Sequence, residues 1–171
     1  RWICKISSMR LIRDHLDEPL SPELILQIHR EVTEGTVDPE VPGRFRTHDR
    51  VYVEDPRTGE VLHTPPAHGE LDDRIHRLCQ FANGDNAEAW IHPILRAILL
   101  HFWLAYVHPF VDGNGRTSRA LFYWSMLKSE YTLSEFISIS HIMRKAPSKY
   151  GRAFLYTETD ENDVTYFALY H

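Results

Sequence analysis

Two almost wholly apolar stretches, Ile91–Val107 and Ala120–Leu127, enclose a short polar segment, and no other feature limits the fold as much. In the first stretch Ile91, Ile94, Ile98 and Phe102 share one helical face, while Leu95, Leu99, Leu100, Trp103 and Leu104 cover the others. A helix that is apolar nearly all round has no side for water and must be surrounded by protein. Its longest near-apolar run, Ala97–Val107, has 11 residues and includes His101, too short for a membrane span. His101 therefore reads as a hydrogen-bonded core residue rather than a ligand.

Two buried central helices need amphipathic cover, and the chain supplies it. Ser21-Pro22-Glu23 opens one covering helix, with Ser as N-cap and Pro at the first helical position. Leu24, Ile25, Ile28 and Val32 give its apolar stripe, and Gly35 can close it. Another starts near Glu70–Asp73, whose carboxylates suit a helix N-terminus, carries Ile75, Leu78, Cys79 and Ala82, and breaks at Asn83–Asn86. Ser134–Met143, Ser148–Tyr156 and Asp163–Tyr170 predict three more. Between the covering helices, Arg50–Glu54 and Glu60–Thr64 flank Asp55-Pro56-Arg57-Thr58-Gly59, a pattern that predicts a β-hairpin. A lone hairpin is marginal in water, so it must lean on helices and keep an exposed edge. The expected fold class is all-α: a helical bundle around two central helices, with one hairpin.

Composition narrows the function classes. The 171 residues are 43% hydrophobic and 25% charged, as in one ordinary globular domain. A formal charge of −5 argues against nucleic acid as a partner, though not against a local anion site. Two cysteines, Cys4 and Cys79, form neither a CxxC pair nor a disulfide framework and read as reduced thiols. With no signal peptide visible and Arg1 in place of Met, the expectation is a trimmed piece of a longer intracellular, cytoplasmic protein with no membrane contact.

The polar segment is His108-Pro109-Phe110-Val111-Asp112-Gly113-Asn114-Gly115-Arg116-Thr117-Ser118-Arg119. Seven of its twelve residues are His, Asp, Gly, Asn or Arg, without helical or strand alternation. Pro109 stops the first central helix, and Phe110 and Val111 are expected to anchor the loop in the core. Gly113 and Gly115 let the backbone turn tightly and approach a ligand. The second helix should begin around Asn114–Arg116, so its free N–H groups make an anion site. Arg116 and Arg119 oppose the helix dipole there, by about 0.3–1 kcal/mol each, a sign that a bound polyphosphate would reverse. Asp112 beside phosphates suits Mg²⁺. His108 titrates near neutrality and can take a proton from an attacking hydroxyl.

These twelve residues resemble the Fic-domain signature at every defined position. Pro42-Gly43-Arg44-Phe45-Arg46, Pro65-Pro66, His92-Pro93, Lys149-Tyr150 and Asp163-Val164-Thr165 also look Fic-like. On that resemblance residues 21–171 form a Fic domain and residues 1–20 a lead-in. It implies a Mg²⁺-dependent protein adenylyltransferase that moves AMP from ATP to a Tyr, Thr or Ser hydroxyl of a target protein and releases pyrophosphate. Self-modification is open to such a chain. In that scheme His108 is the base and Asp112 holds Mg²⁺. Asn114 and the N–H groups of Gly113 and Gly115 steady the α-phosphate, while Arg116 and Arg119 hold the outer phosphates. Tyr150 contacts the adenosine end. The hairpin is the family's flap, clamping the target by strand addition along Val61, Leu62 and His63. Glycine and arginine stand where a phosphorylating relative has lysine, which favours AMP transfer. The signature also suits a hydrolase that removes AMP, or a non-catalytic nucleotide-binding module.

Three other patterns carry less. Gly113-x-Gly115-x-x-Ser118 lacks both a preceding strand and a third glycine, so it is no dinucleotide fingerprint. His68, Asp72 and His76 could line a helix face as metal ligands, but Gly69 and the acidic helix start disfavour it. Thr157–Asn162 fits the family's inhibitory pattern of Ser or Thr, three residues, Glu, then Gly or Asn. It falls where the family has a loop, and an inhibitory helix is expected upstream of Arg1 instead.

Overall fold

The computed structural model describes residues 6–54, 58–85, 90–136, 139 and 147–171. Its helices are α1 (Ile6–Asp14), α2 (Pro22–Thr33), α3 (Leu71–Asn83), α4 (Pro93–Val107), α5 (Asn114–Lys128), α6 (Pro147–Thr159) and α7 (Thr165–Tyr170). Short 3₁₀ turns precede α3 and follow α5, at His68–Glu70 and Thr132–Phe136. Beyond Phe136, most of the helix expected over Ser134–Met143 lies outside the described residues, as do Cys4 and the hairpin residues Asp55–Arg57.

The boundaries follow from local chemistry. Ser21 caps α2 by accepting the Leu24 N–H at 3.2 Å, with Pro22 next to it. Gly84, left-handed at φ 82°, ends α3 by donating its N–H to carbonyls of the last turn. Arg74–Glu70 and Arg77–Asp73 pairs, four residues apart, lie along the solvent side of α3.

α4 and α5 pack on each other and divide the interior in two. On one side Leu100 and Leu104 of α4 and Leu121 and Trp124 of α5 meet Ile12, Ile25, Ile28, Ile75 and Leu78 of α1–α3. On the other, Ile98 and Phe102 of α4 and Phe122, Tyr123 and Met126 of α5 meet Ala153 and Phe167 of α6 and α7. That is why α4 and the Ala120–Leu127 part of α5 are apolar nearly all round. The exception is the first turn of α4, where Ile94 and Leu95 are exposed. Residues of the expected lead-in take part in this core, Ile12 being fully buried and Leu20 nearly so.

The hairpin is shorter than expected, with β1 at Val53–Glu54 and β2 at Val61–His63. The strands pair antiparallel, Val53 with His63 and Glu54 with Val61, and an irregularity between Val53 and Glu54 shifts the register. Such a shift leaves a residue unpaired and ends the ladder early.

Candidate functional site

The polar segment bridges α4 and α5 at one end of the central pair. His108 is the C-cap of α4 and is left-handed, φ 48° and ψ 56°. Gly113 is left-handed too, at φ 87°, and caps α5. A Cβ at Gly113 would collide with Thr33 and His29, so glycine is required there for space as well as for conformation. Phe110 is fully buried, whereas Val111 is 45% exposed. The expectation that both anchor the loop is corrected: Phe110 alone fills the core, and Val111 faces a cavity.

That cavity has a volume of about 390 Å³, in the range of small-molecule sites. His108, Asp112–Arg116 and Arg119 line it from the segment, with Val51 and Tyr52 from the start of the hairpin. His108 Nδ1–H donates to Ala105 O at 3.1 Å, which leaves Nε2 as the bare nitrogen. Burial, chiefly, lowers the His108 pKa to about 4, helped by the charges of His63 and Arg46. The imidazole is therefore neutral and able to accept a proton at pH 7.

Asp112 Oδ1 accepts from the Gly113 N–H and lies 3.3 Å from Arg116 Nη2. Among the described residues nothing pairs with its Oδ2, and the side chain is 61% exposed. One open carboxylate beside a phosphate cradle fits Mg²⁺, which keeps several waters and takes few protein ligands. The N–H groups of Arg116 and Thr117 both turn back to Gly113 O, at 3.0 and 2.9 Å. Among the described residues this leaves the Asn114 and Gly115 N–H groups without a partner at the mouth of α5.

Two expected phosphate contacts are corrected. The Gly113 N–H is occupied by Asp112. The Asn114 side chain is buried and clamps the Phe110 peptide, Nδ2 donating to its O at 2.8 Å and Oδ1 accepting from its N–H at 2.9 Å. The Asn114 side chain thus serves the turn. Arg119 lines the cavity as expected, and Arg116 also donates to Thr36 Oγ1. Tyr150 is absent from the cavity wall: it packs among His101, Phe154 and Phe167, and burial pushes its hydroxyl up to about 12.

Within the hairpin, Val61 and Leu62 are exposed but His63 is turned inward. Its Nε2 lies 2.7 Å from Tyr106 O and its Nδ1 2.5 Å from Glu158 Oε1. The side chain of His63 is an inward anchor of the hairpin and is not on its exposed edge. That contact also decides the reading of Thr157–Asn162. Glu158 lies against His63 of the hairpin, and Glu161 sits exposed and left-handed in the turn between α6 and α7, with no ion pair among the described residues.

Two residues in the site went without a role in the sequence reading. Arg46 has a side chain only 1% exposed. Its Nε donates to His108 O at 3.0 Å, its Nη1 to His48 O and Asp49 Oδ1 at 3.0 Å, and its Nη2 to Pro66 O. The two Fic-like segments around the hairpin are thereby joined to the His108 carbonyl. His29, midway along α2, is fully buried and touches the segment from behind. Its only sequence signal is a histidine on an otherwise apolar helix face.

His101 is a core residue, as expected, bonded to His171 at 3.1 Å. His76 pairs with Asp72 and His68 with Asp49, and among the described residues no cluster of three or more His, Cys, Asp or Glu could hold a metal. Burial pushes the Cys79 thiol up to about 12, consistent with an inert thiol. Among the described residues no helix is long and apolar enough to cross a membrane.

The family model for the Fic/DOC family matches residues 19–126. Protein adenylyltransferase Fic of Drosophila virilis is 37% identical over 126 residues, 72% of this chain and 24% of that protein. Its namesake in Drosophila melanogaster is 39% identical over 107 residues, 63% of this chain and 20% of that protein. The chain thus spans about a quarter or less of these relatives. A Fic family protein from Desulfovibrio desulfuricans superposes with a TM-score of 0.72 at 21% identity, covering 95% of this chain and 48% of that one. Fic-1 from C. elegans, in an E274G form, does so with 0.67 at 27% identity, covering 96% and 44%. With its signature segment folded into a cavity-lining turn between two central helices, this chain belongs to the Fic/DOC family.

Proposed function

We propose that the chain transfers AMP from Mg²⁺·ATP to a hydroxyl side chain of a target protein. The observation that carries this is the meeting of a bare His108 Nε2, two arginines and two free backbone N–H groups around one cavity. The target hydroxyl oxygen attacks the α-phosphorus while its proton passes to His108 Nε2. The bond from the α-phosphorus to the bridging oxygen breaks, and pyrophosphate leaves. The Asn114 and Gly115 N–H groups face the charge that grows on the α-phosphate, where fixed donors act most strongly. Arg116 and Arg119 hold the outer phosphates and orient the leaving group. Mg²⁺ on Asp112, when bound, neutralises phosphate charge. The exposed Val61 and Leu62 edge presents the target segment.

Incubation with α-³²P-ATP, Mg²⁺ and a cell lysate tests the reading. Labelled protein bands that disappear with His108→Ala are expected. Loss of label from pre-labelled protein identifies AMP removal instead, and nucleotide binding without labelling identifies a binding module. By calorimetry Arg119→Ala weakens ATP at least tenfold, whereas His108→Ala changes it less than threefold; equal affinities would remove Arg119 from its role.

A further inference from the structure

The imidazole of His29 occupies a slot with four walls. Its ring stacks on Phe110, with centroids 3.6 Å apart and planes within 1° of parallel. The Cα of Gly113 comes so close that a Cβ there would lie 3.0 Å from Nε2. The Gly43 N–H points at Nδ1 at 2.9 Å, and Nε2 lies 2.9 Å from Asp112 O. These partners fix the tautomer. A backbone N–H only donates, so Nδ1 offers its lone pair; a carbonyl only accepts, so Nε2 carries the hydrogen.

Three parts of the chain therefore meet on one side chain: α2, the Gly43–Arg46 loop before the hairpin, and the Asp112–Gly113 peptide. That peptide determines where the cradle points. Its carbonyl direction sets the left-handed entry into Gly113, and Gly113 caps the helix whose Asn114 and Gly115 N–H groups are free. A rotation of the Asp112–Gly113 peptide would swing those groups and the Asp112 carboxylate together. Thr33, one turn along α2, reinforces the position by donating to His29 O at 2.6 Å and by packing its methyl against Gly113.

We propose that His29 is a positioning residue, whose two directed hydrogen bonds fix the Asp112–Gly113 peptide and so aim the phosphate-binding N–H groups. It touches neither substrate nor reacting atoms. The proposal rests on the reading of the cavity as a nucleotide site, but the peptide it fixes can be observed without nucleotide.

The test compares His29→Leu, which fills the slot without polar atoms, with His29→Gln, whose amide can donate and accept. Amide hydrogen exchange is measured in the nucleotide-free protein, and ATP affinity by calorimetry without metal. In His29→Leu, amides 110–117 are expected to exchange at least tenfold faster, with those of 97–104 in α4 unchanged. ATP dissociation constants rise at least tenfold, and His29→Gln recovers most of both. A folded His29→Leu with wild-type exchange and wild-type ATP affinity would overturn the proposal, because volume alone would then suffice. If the wild type binds no ATP, the cavity reading fails, and exchange at 110–117 alone decides the role of His29. Should His29→Leu not fold, His29→Asn takes its place. Asn is too short to span both partners, so weaker protection than in His29→Gln supports the proposal and equal protection overturns it.

Discussion

His108 combines a left-handed backbone with a buried ring, and both properties have measurable effects. A non-glycine residue in that region costs about 1–2 kcal/mol, a strain His108→Ala keeps and His108→Gly relieves. His108→Gly should therefore unfold at higher denaturant than His108→Ala, by ~1 kcal/mol after the extra chain entropy of glycine. With the imidazole pKa lowered to about 4 by burial, protonation of His108, the base in the proposed reaction, is confined to acid. The profile of kcat/KM for ATP should show no acid limb between pH 8 and 5.5; a limb near 6.5 would mean an imidazole in contact with water. Arg46 gives the largest expected stability effect. Replacing it with Met strips donors from four oxygens, including the His108 carbonyl, and should cost about 3 kcal/mol or more in urea unfolding.

Among the described residues the ladder pairs only β1 with β2, and the inward His63 adds a contact of its Nδ1 with Glu158 Oε1 of α6. Glu158→Ala should raise amide exchange across residues 61–63 at least tenfold and leave the α4 and α5 amides unchanged. Uniform exchange would show that the strands hold themselves. This contact also marks where the sequence ceased to be legible. Helices α2 to α5 were readable because each carries a local signature: the Ser21-Pro22 cap, the Gly84 stop, the apolar surface of α4 and α5. The twelve-residue segment was readable because its chemistry is contiguous. Which hairpin residue turns inward depends on a one-residue register shift between Val53 and Glu54, and on Glu158, 95 residues further on. The side-chain partner of Asn114 is hidden for a related reason. Its amide matches the Phe110 peptide as well as it matches a phosphate, and only the folded turn decides between them.

Across the molecule, burial holds His29, His101, His108 and His171 below the ordinary histidine pKa. In the unfolded chain they titrate near 6.5, so between there and the folded values the unfolded state binds more protons. Stability is fully present above about pH 6.5 and is lost as pH falls. His108 alone contributes a loss on the order of 3 kcal/mol over its window from 6.5 to about 4. Urea midpoints measured at pH 7, 6 and 5 should fall steadily, and a flat series would contradict neutral burial of these rings. A different consequence follows from how the signature segment is held. Its carbonyls are bonded by His29 and Arg46, 83 and 62 residues earlier in the chain. The twelve residues are thus not a transplantable cassette: spliced between the helices of an unrelated bundle, they would keep their spelling and lose their shape. The residues that hold its shape reach back to α2, while the hairpin touches Glu158 of α6 and the second core needs α6 and α7, so a designer who wants this turn elsewhere must move the helices around it as well.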